Sequence, residues 1–283
     1  MVDRVRRRLG IKKVGHTGTL DPMATGVLVL CLGQATRLSP FLTDLGKSYR
    51  AEIHLGVSTD TLDAEGKVTD RSDHIPKDPE EIFRAVRIFV GEVEQIPPMF
   101  SARKVSGKRL YRLARSGQEV EREARRVHIY RIDIQGYVPP ILEVEVHCSK
   151  GTYIRSLADD IGKELGCGGH LAGLRRTAVG NIELSHCIGL ERLESISTKE
   201  DLEGHLILPN RALSQMPGLC LTSLQVRRFV HGNAVSDVRT ERQLEPGGLV
   251  RALDACGSLL GIGRWAGEGA ALQPVRVFRQ QEN

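Results

Sequence analysis

The sequence predicts a mixed α and β fold, followed by a small β-rich domain. Three features carry this expectation. Between residues 27 and 165, stretches of period-2 apolar alternation are interleaved with stretches of helical spacing. Beyond about Pro209 the texture changes to short apolar runs separated by Gly-rich turns (EPGG, ACGS, AGEGA). With 283 residues, 40% of them apolar and 27% charged, the chain has the length for one large core and a smaller one, and the composition of a soluble globular protein.

Each element follows from its local pattern. Val2, Val5 and Leu9 are spaced like one face of a helix. Val27 to Leu32 is apolar throughout, as in a strand buried on both faces, and Gln34 to Leu42 reads as a short helix. KSYRAEIHLGV alternates, with Tyr49, Ala51, Ile53 and Leu55 on one side and Arg50, Glu52 and His54 on the other. PEEIFRAVRIFVG is a helix entered through Pro79 and two Glu, with Gly91 as its stop. Pro97-Pro98 interrupts regular structure, and a basic arm follows to about residue 126, with a turn at Ser106-Gly107 and a short helix. ILEVEVHC alternates again. Ile154, Leu157, Ala158, Ile161 and Leu165 then recur at helical spacing, with Gly166 in place to end that helix. This strand–turn–helix puts Tyr153 and Arg155 at a helix N-terminus, where backbone N–H groups meet a polar ligand. Thr198 and Thr222 are helix starts, the latter opening a capping box. LVRALD, SLLGIGRW and LQPVRVF read as strands of the second domain, from about Arg211 to the end.

Composition excludes several classes. No stretch approaches the roughly 20 apolar residues that cross a bilayer. The N-terminus is basic but lacks the apolar core of a secretory signal. The six cysteines form no C-x-x-C pair, and the C-x-x-H at Cys167 and His170 has no second ligand pair to complete a zinc site. The chain reads as intracellular, reduced and metal-free. Charge is unevenly spread. Residues 103 to 126 hold nine Lys/Arg against three Glu, and residues 1 to 13 hold six against one Asp. With +5 overall, the rest of the chain is net negative. The two basic segments are either a solvated surface or a patch for a polyanion such as nucleic acid.

GHTGTLDP, at positions 15 to 22, places a histidine, two threonines, two glycines and an aspartate ahead of an apolar run. Taken alone, Asp21 before proline is a turn residue. Tyr49 alone is core or cross-strand packing, Arg155 alone is a surface or helix-start cation, and His16 alone is a local hydrogen-bonding group.

Four long segments, in order, change that weighing: GHTGTLDPMATGVLVLCLGQATRLS, KSYRAEIHLGVSTDTLDAEGKV, QIPPMFSARKVSGKRLYRLARSG and HCSKGTYIRSLADDIGKELGCGGHLAGLRRTAVG. Together they resemble the bacterial TruB-type tRNA pseudouridine synthases, which act on uridine 55 of the T-loop. The resemblance implies an α+β fold: a mixed, mainly antiparallel sheet with flanking helices in a catalytic domain at 1–210, and a PUA-like RNA-binding domain at 211–283. The basic arm, at about 97–126, corresponds to the family's RNA-gripping thumb. By the same resemblance Asp21 is the catalytic aspartate and His16 helps to hold the rearranged T-loop. Tyr49 stacks on the target uracil, Tyr153 lines the substrate site, Arg155 pairs with the catalytic carboxylate, and Leu174 lines the pocket. Arg37, Arg103, Lys104, Lys108 and Arg109 contact the RNA backbone. The expected partner is the T-arm stem-loop of tRNA, bound by a cytoplasmic monomer.

The reaction explains the residue types. It breaks the bond from ribose C1′ to uracil N1 and remakes it to C5, so nothing is oxidised and no group is gained. No cofactor is expected, and the G-x-G-x-x-G and Walker patterns are missing. A carboxylate, with an ordinary pKa near 4, is ionised at neutral pH. Burial opposes that ionisation, and a neighbouring guanidinium restores it. Attack on C1′, attack on C6 and removal of the C2′ proton all need the same carboxylate in nearly the same place. Two rival readings stand beside this one: a non-catalytic tRNA-binding or folding factor on the same scaffold, and a pseudouridine synthase for another RNA. Family members carry some twenty further residues before this start, including a strand. Either the start is assigned too late or an edge of the sheet is lost; the second case leaves an unpaired strand edge, and the chain as written is expected to be poorly soluble.

Overall fold

The computed structural model describes residues 1–101, 104–105, 108–110, 118, 120–241 and 243–278. The chain divides into two compact units. One comprises residues 18–29 and 43–187; the other comprises 1–17, 30–42 and 188–283.

The first unit is built on a seven-stranded sheet. Its order runs Ile182–Glu183, Gly169–Val179, Lys47–Leu55, Ile141–Cys148, Arg125–Val138, Gly91–Gln95, and these neighbours are all antiparallel. The seventh strand, Thr25–Gly26, pairs parallel with Gly169–Val179. Lys47–Leu55 alternates buried and more open positions as its sequence requires. Ala51, Ile53 and Leu55, with Leu142, Val144, Val146 and Cys148 beside them, are fully buried.

Helix Ile154–Glu164 packs Leu157, Ala158 and Ile161 into this layer, and helix Pro79–Arg87 adds Ile82 and Val86. Each such aliphatic side chain contributes about 1.5–3 kcal/mol when fully buried. Helix Pro79–Arg87 starts at Asp78, whose carboxylate accepts from the Glu80 amide. It ends at Arg87, four residues before Gly91, which opens the edge strand instead. Helix Ile154–Glu164 closes as expected through Gly166 at φ +68°.

Gly169–Val179 carries two irregularities against Lys47–Leu55, one between Leu171 and Gly173 and one between Arg176 and Ala178. The first lets Leu171, Leu174 and Arg176 share the face of Ile53, Ala51 and Tyr49. The second returns Val179 to the buried side. Such bulges add one residue to one strand and re-aim the side chains beyond it.

In the second unit, Val14–His16 pairs antiparallel with Leu30–Leu32. Val5, Val14, Leu193 and Ile196 make a small core there with helix Val2–Leu9. The apolar run 27–32 is thus not one strand: Leu30–Leu32 belongs to this ladder, and Val27 belongs to the other unit. Residues 33 to 43 form a 3₁₀ turn, Gly33–Leu38, continued by helix Ser39–Thr43.

The C-terminal part of this unit is a four-stranded sheet ordered Gly218–Cys220, Leu249–Leu253, Leu259–Trp265, Leu272–Val277. Helix Ser223–Val230 packs on it through Phe229, with Val250, Leu260 and Trp265 beside it. The capping box at Thr222 and Gln225 is present. The three strands read from LVRALD, SLLGIGRW and LQPVRVF are all found.

Candidate active site

Asp21 sits in a turn, since its carbonyl accepts from the Ala24 amide at 2.9 Å. Its side chain does something further. Arg155, on the first turn of helix Ile154–Glu164, brings Nε to 2.9 Å from Asp21 Oδ2. That contact lacks hydrogen-bond alignment, and the aligned donor is Nη2, 3.3 Å from Oδ1. Arg155 is 4% exposed and Asp21 36% exposed. The pair is therefore walled in on the guanidinium side and open on the carboxylate side.

Arg155 has further acceptors. Nη1 donates to the Asp63 carboxylate at 3.2 Å and to the Thr61 carbonyl at 3.1 Å, and Nη2 donates to the Phe100 carbonyl at 2.8 Å. Asp63 is buried, and it also accepts from the Thr61 hydroxyl at 2.5 Å and the Glu65 amide at 3.1 Å. One guanidinium therefore holds two carboxylates, the arrangement expected where charge-assisted hydrogen bonds fix geometry.

Tyr49 is buried on the central strand, directly opposite Arg176 and Val146. Burial pushes its phenol up to about 12, and the Cys148 sulfur and the Asp21 carboxylate add to this. The Arg176 guanidinium hydrogen-bonds the phenol and pulls the other way. Lys47, two residues earlier, is held down to about 8, first by burial and then by the Arg176 charge. Its Nζ donates to the carbonyls of Thr43 and Leu45 at 2.9 and 2.7 Å. Tyr153 caps helix Ile154–Glu164, its backbone fixed by a two-way amide contact with buried Gln95. Leu174 lies half-buried against the same core.

The structure thus brings Asp21, Tyr49, Tyr153, Arg155 and Leu174 into one unit. His16 falls in the other unit, exposed at the end of strand Val14–His16. Arg37 is exposed there too, and its Nη1 donates to the Val277 carbonyl at 3.1 Å. Of the arm residues, Arg103 lies outside the described residues. Lys104, Lys108 and Arg109 lie on a two-stranded ribbon described by its backbone alone. Three residues of this site were not anticipated: Asp63, Arg176 and Gln95. Asp63 is the last acid of TDTLD, where Thr, Asp and Gly composition reads as a plain turn; its neighbour Leu62 has φ +62°, a conformation unusual for a branched residue. Among the described residues no cluster of His, Cys, Asp or Glu is arranged to hold a metal ion, and no helix is long and apolar enough to cross a membrane.

Comparison with known proteins bears on the family and the fold. Residues 6–154 match the TruB family pseudouridylate synthase N-terminal domain, 155–214 match the tRNA pseudouridylate synthase B C-terminal domain, and 217–278 match the pseudouridine synthase II TruB C-terminal domain. The tRNA pseudouridine synthase B of Ralstonia pickettii (strain 12J) is 46% identical over 97% of this chain and 88% of its own length. That of Burkholderia pseudomallei (strain 668) is 44% identical over 97% and 90%. Among solved structures, a Cbf5–Nop10–Gar1 complex superposes with a TM-score of 0.78 at 25% identity, covering 98% of this chain and 80% of that one. An H/ACA ribonucleoprotein bound to a substrate RNA containing 2′-deoxyuridine gives 0.77 at 23% identity, covering 99% and 81%, and bears on the fold alone. By the reach of the family match and the identity of these relatives, the chain belongs to the TruB family of pseudouridylate synthases.

Proposed function

We propose that the chain isomerises uridine to pseudouridine in tRNA, at position 55 of the T-loop, with Asp21 as the catalytic carboxylate. The observation that carries this is the Asp21–Arg155 pair: a charged carboxylate with one open side, held against a buried cation. Arg155 opposes the desolvation that RNA binding imposes on Asp21. Asp63 keeps Arg155 from turning wholly toward Asp21, so the carboxylate is oriented and yet left free to react. Tyr49 offers a ring on a rigid strand for the extruded uracil, and stacking offsets the few kcal/mol that extrusion costs. Tyr153 and Leu174 frame the base. The reaction breaks one glycosidic bond and makes another, losing the C5 proton and gaining one at N1, so with no net oxidation or group transfer Asp21 needs no redox or group-carrying cofactor.

Recognition is divided between three regions. His16 steadies the bent loop. Arg37 and the arm residues Arg103, Lys104, Lys108 and Arg109 hold phosphates. The 211–283 domain, read as PUA-like, holds the rest of the tRNA. Phosphate contacts of this type weaken steeply as salt rises. The enzyme works as one chain.

The test uses T-arm RNA tritiated at uracil C5, because isomerisation releases that label. Wild type is expected to release it, and Asp21→Asn is expected to bind the RNA and release none. Equal release by both ends the assignment. Release from an unrelated stem-loop alone moves the substrate to another RNA, and binding without release by wild type makes the chain an RNA-folding factor.

A further inference from the structure

We infer that Arg176 is a positioning residue for the reaction: its guanidinium clamps both arms of the loop that carries Asp21 and ties that loop to the strand that carries Tyr49. The inference rests on the catalytic reading of Asp21.

The geometry is specific. Arg176 is 2% exposed. Its Nε donates to the Val27 carbonyl at 2.7 Å, on the C-terminal arm of the loop. Its Nη2 reaches the Gly18 carbonyl at 3.2 Å and its Nη1 the Thr19 carbonyl at 3.4 Å, both on the N-terminal arm. Asp21 lies between these arms. The backbone of the same residue completes the closure, since the Arg176 carbonyl accepts from the Val27 amide at 2.8 Å. Gly26 makes the approach possible. It pairs with Arg176 at φ +100°, and a methyl group there would lie 2.1 Å from the Arg176 oxygen. On the opposite strand Tyr49 is the direct partner of Arg176.

Among the described residues Arg176 has no carboxylate within ion-pair distance. A buried guanidinium without a counter-ion is costly, and here it is satisfied by backbone carbonyls and by the Tyr49 phenol. That pattern is explained if its task is to fix backbone. The fork of five donors spans three carbonyls at once; a lysine ammonium in the same place reaches fewer. The placement of the Asp21 loop against the Tyr49 strand is thereby constrained by one side chain. Base and carboxylate must meet in a narrow range of geometry, and a displacement of about 1 Å costs about 100-fold in rate.

The experiment compares Arg176→Lys with Arg175→Lys, the exposed neighbour on the same strand. Three quantities are measured: affinity for T-arm RNA, the single-turnover rate of tritium release, and amide hydrogen exchange of peptides spanning 18–29 and 47–55. Arg176→Lys is expected to bind within about threefold of wild type and to react about 100-fold more slowly. Its 18–29 peptide should exchange faster while 47–55 stays protected. Arg175→Lys should match wild type in reaction rate. If Arg176→Lys does not fold, Gly26→Ala attacks the same closure from the loop side and is expected to give the same slow reaction with retained binding. A wild-type rate in either folded variant overturns the inference, as does a loss confined to binding. Absence of release by wild type itself overturns the catalytic reading instead, so the two failures are separable.

Discussion

Asp63→Asn tests whether two carboxylates must share one guanidinium. The Asp63 side chain is 5% exposed and that of Arg155 4% exposed, so the pair is desolvated on both sides. Asparagine has the same shape and keeps one acceptor oxygen for three donors: the Thr61 hydroxyl, the Glu65 amide and Arg155. Hydrogen bonds to charged groups contribute about 1.5–3 kcal/mol net, and breaking a fully buried pair costs about 3–5 kcal/mol. Asp21 remains as a partial counter-charge, which puts the loss at the low end, about 2–3 kcal/mol. For a chain of this size that lowers Tm by roughly 4–12 °C. Freed on its Nη1 side, Arg155 rotates toward Asp21 and shifts the carboxylate. A shift of about 1 Å corresponds to about 100-fold in rate, or about 2.7 kcal/mol of barrier. Calorimetry gives the first number, and single-turnover tritium release at saturating enzyme gives the second. Glu65→Gln, at an exposed acid two residues on, is the control and should leave the rate unchanged. A rate for Asp63→Asn within about threefold of wild type, with Tm lowered as expected, would show that Asp63 supports the fold and does not orient Asp21.

Two other outcomes concern the central strand. Replacing Tyr49 by Leu removes a stacking surface worth about 1–3 kcal/mol and should lower kcat/KM for T-arm RNA by about 10- to 100-fold; Phe keeps the ring and should lose no more than about tenfold. Equal losses for Leu and Phe in steady-state kinetics would mean that the ring contributes no stacking. Lys47, held down to about 8 from 10.5, gives a pH signature. Between those values the unfolded chain binds more protons than the folded one, so this residue's contribution to stability rises with pH and levels off near 10.5. Relative to Lys47→Met, wild type should therefore gain stability from pH 8 to 10, on the order of 1 kcal/mol per pH unit at most. Urea titrations of both proteins that stay parallel across that range would refute this.

The sequence made some of this legible, for physical reasons. Lys47–Leu55 and Ile141–Cys148 each bury one face, so a two-residue period marks them. Helix Ile154–Glu164 announces itself through its spacing and its terminal glycine, and it brings Arg155 to 2.9 Å from Asp21. Strand Gly169–Val179 stayed hidden because its two irregularities break that period, and Gly169, Gly173 and Arg176 are not residues that mark a buried strand. The run from Val27 to Leu32 is apolar for two separate reasons. Val27 is buried where the loop closes on Arg176, while Leu30 to Leu32 pair with Val14–His16. Asp63 and Gln95 act through partners about 90 and 60 residues away, at Arg155 and Tyr153, and no local pattern encodes such a meeting.

The paired irregularities in Gly169–Val179 also constrain how this gene can change. Each adds one residue, and together they are in phase: the first turns Leu174 and Arg176 inward, and the second restores Val179. A residue gained or lost at a regularly paired position, with no further irregularity to absorb it, would turn the remainder of the strand inside out. Length variation in this enzyme should therefore collect in its connecting loops, while this eleven-residue stretch tolerates substitutions more readily than a single codon gained or lost.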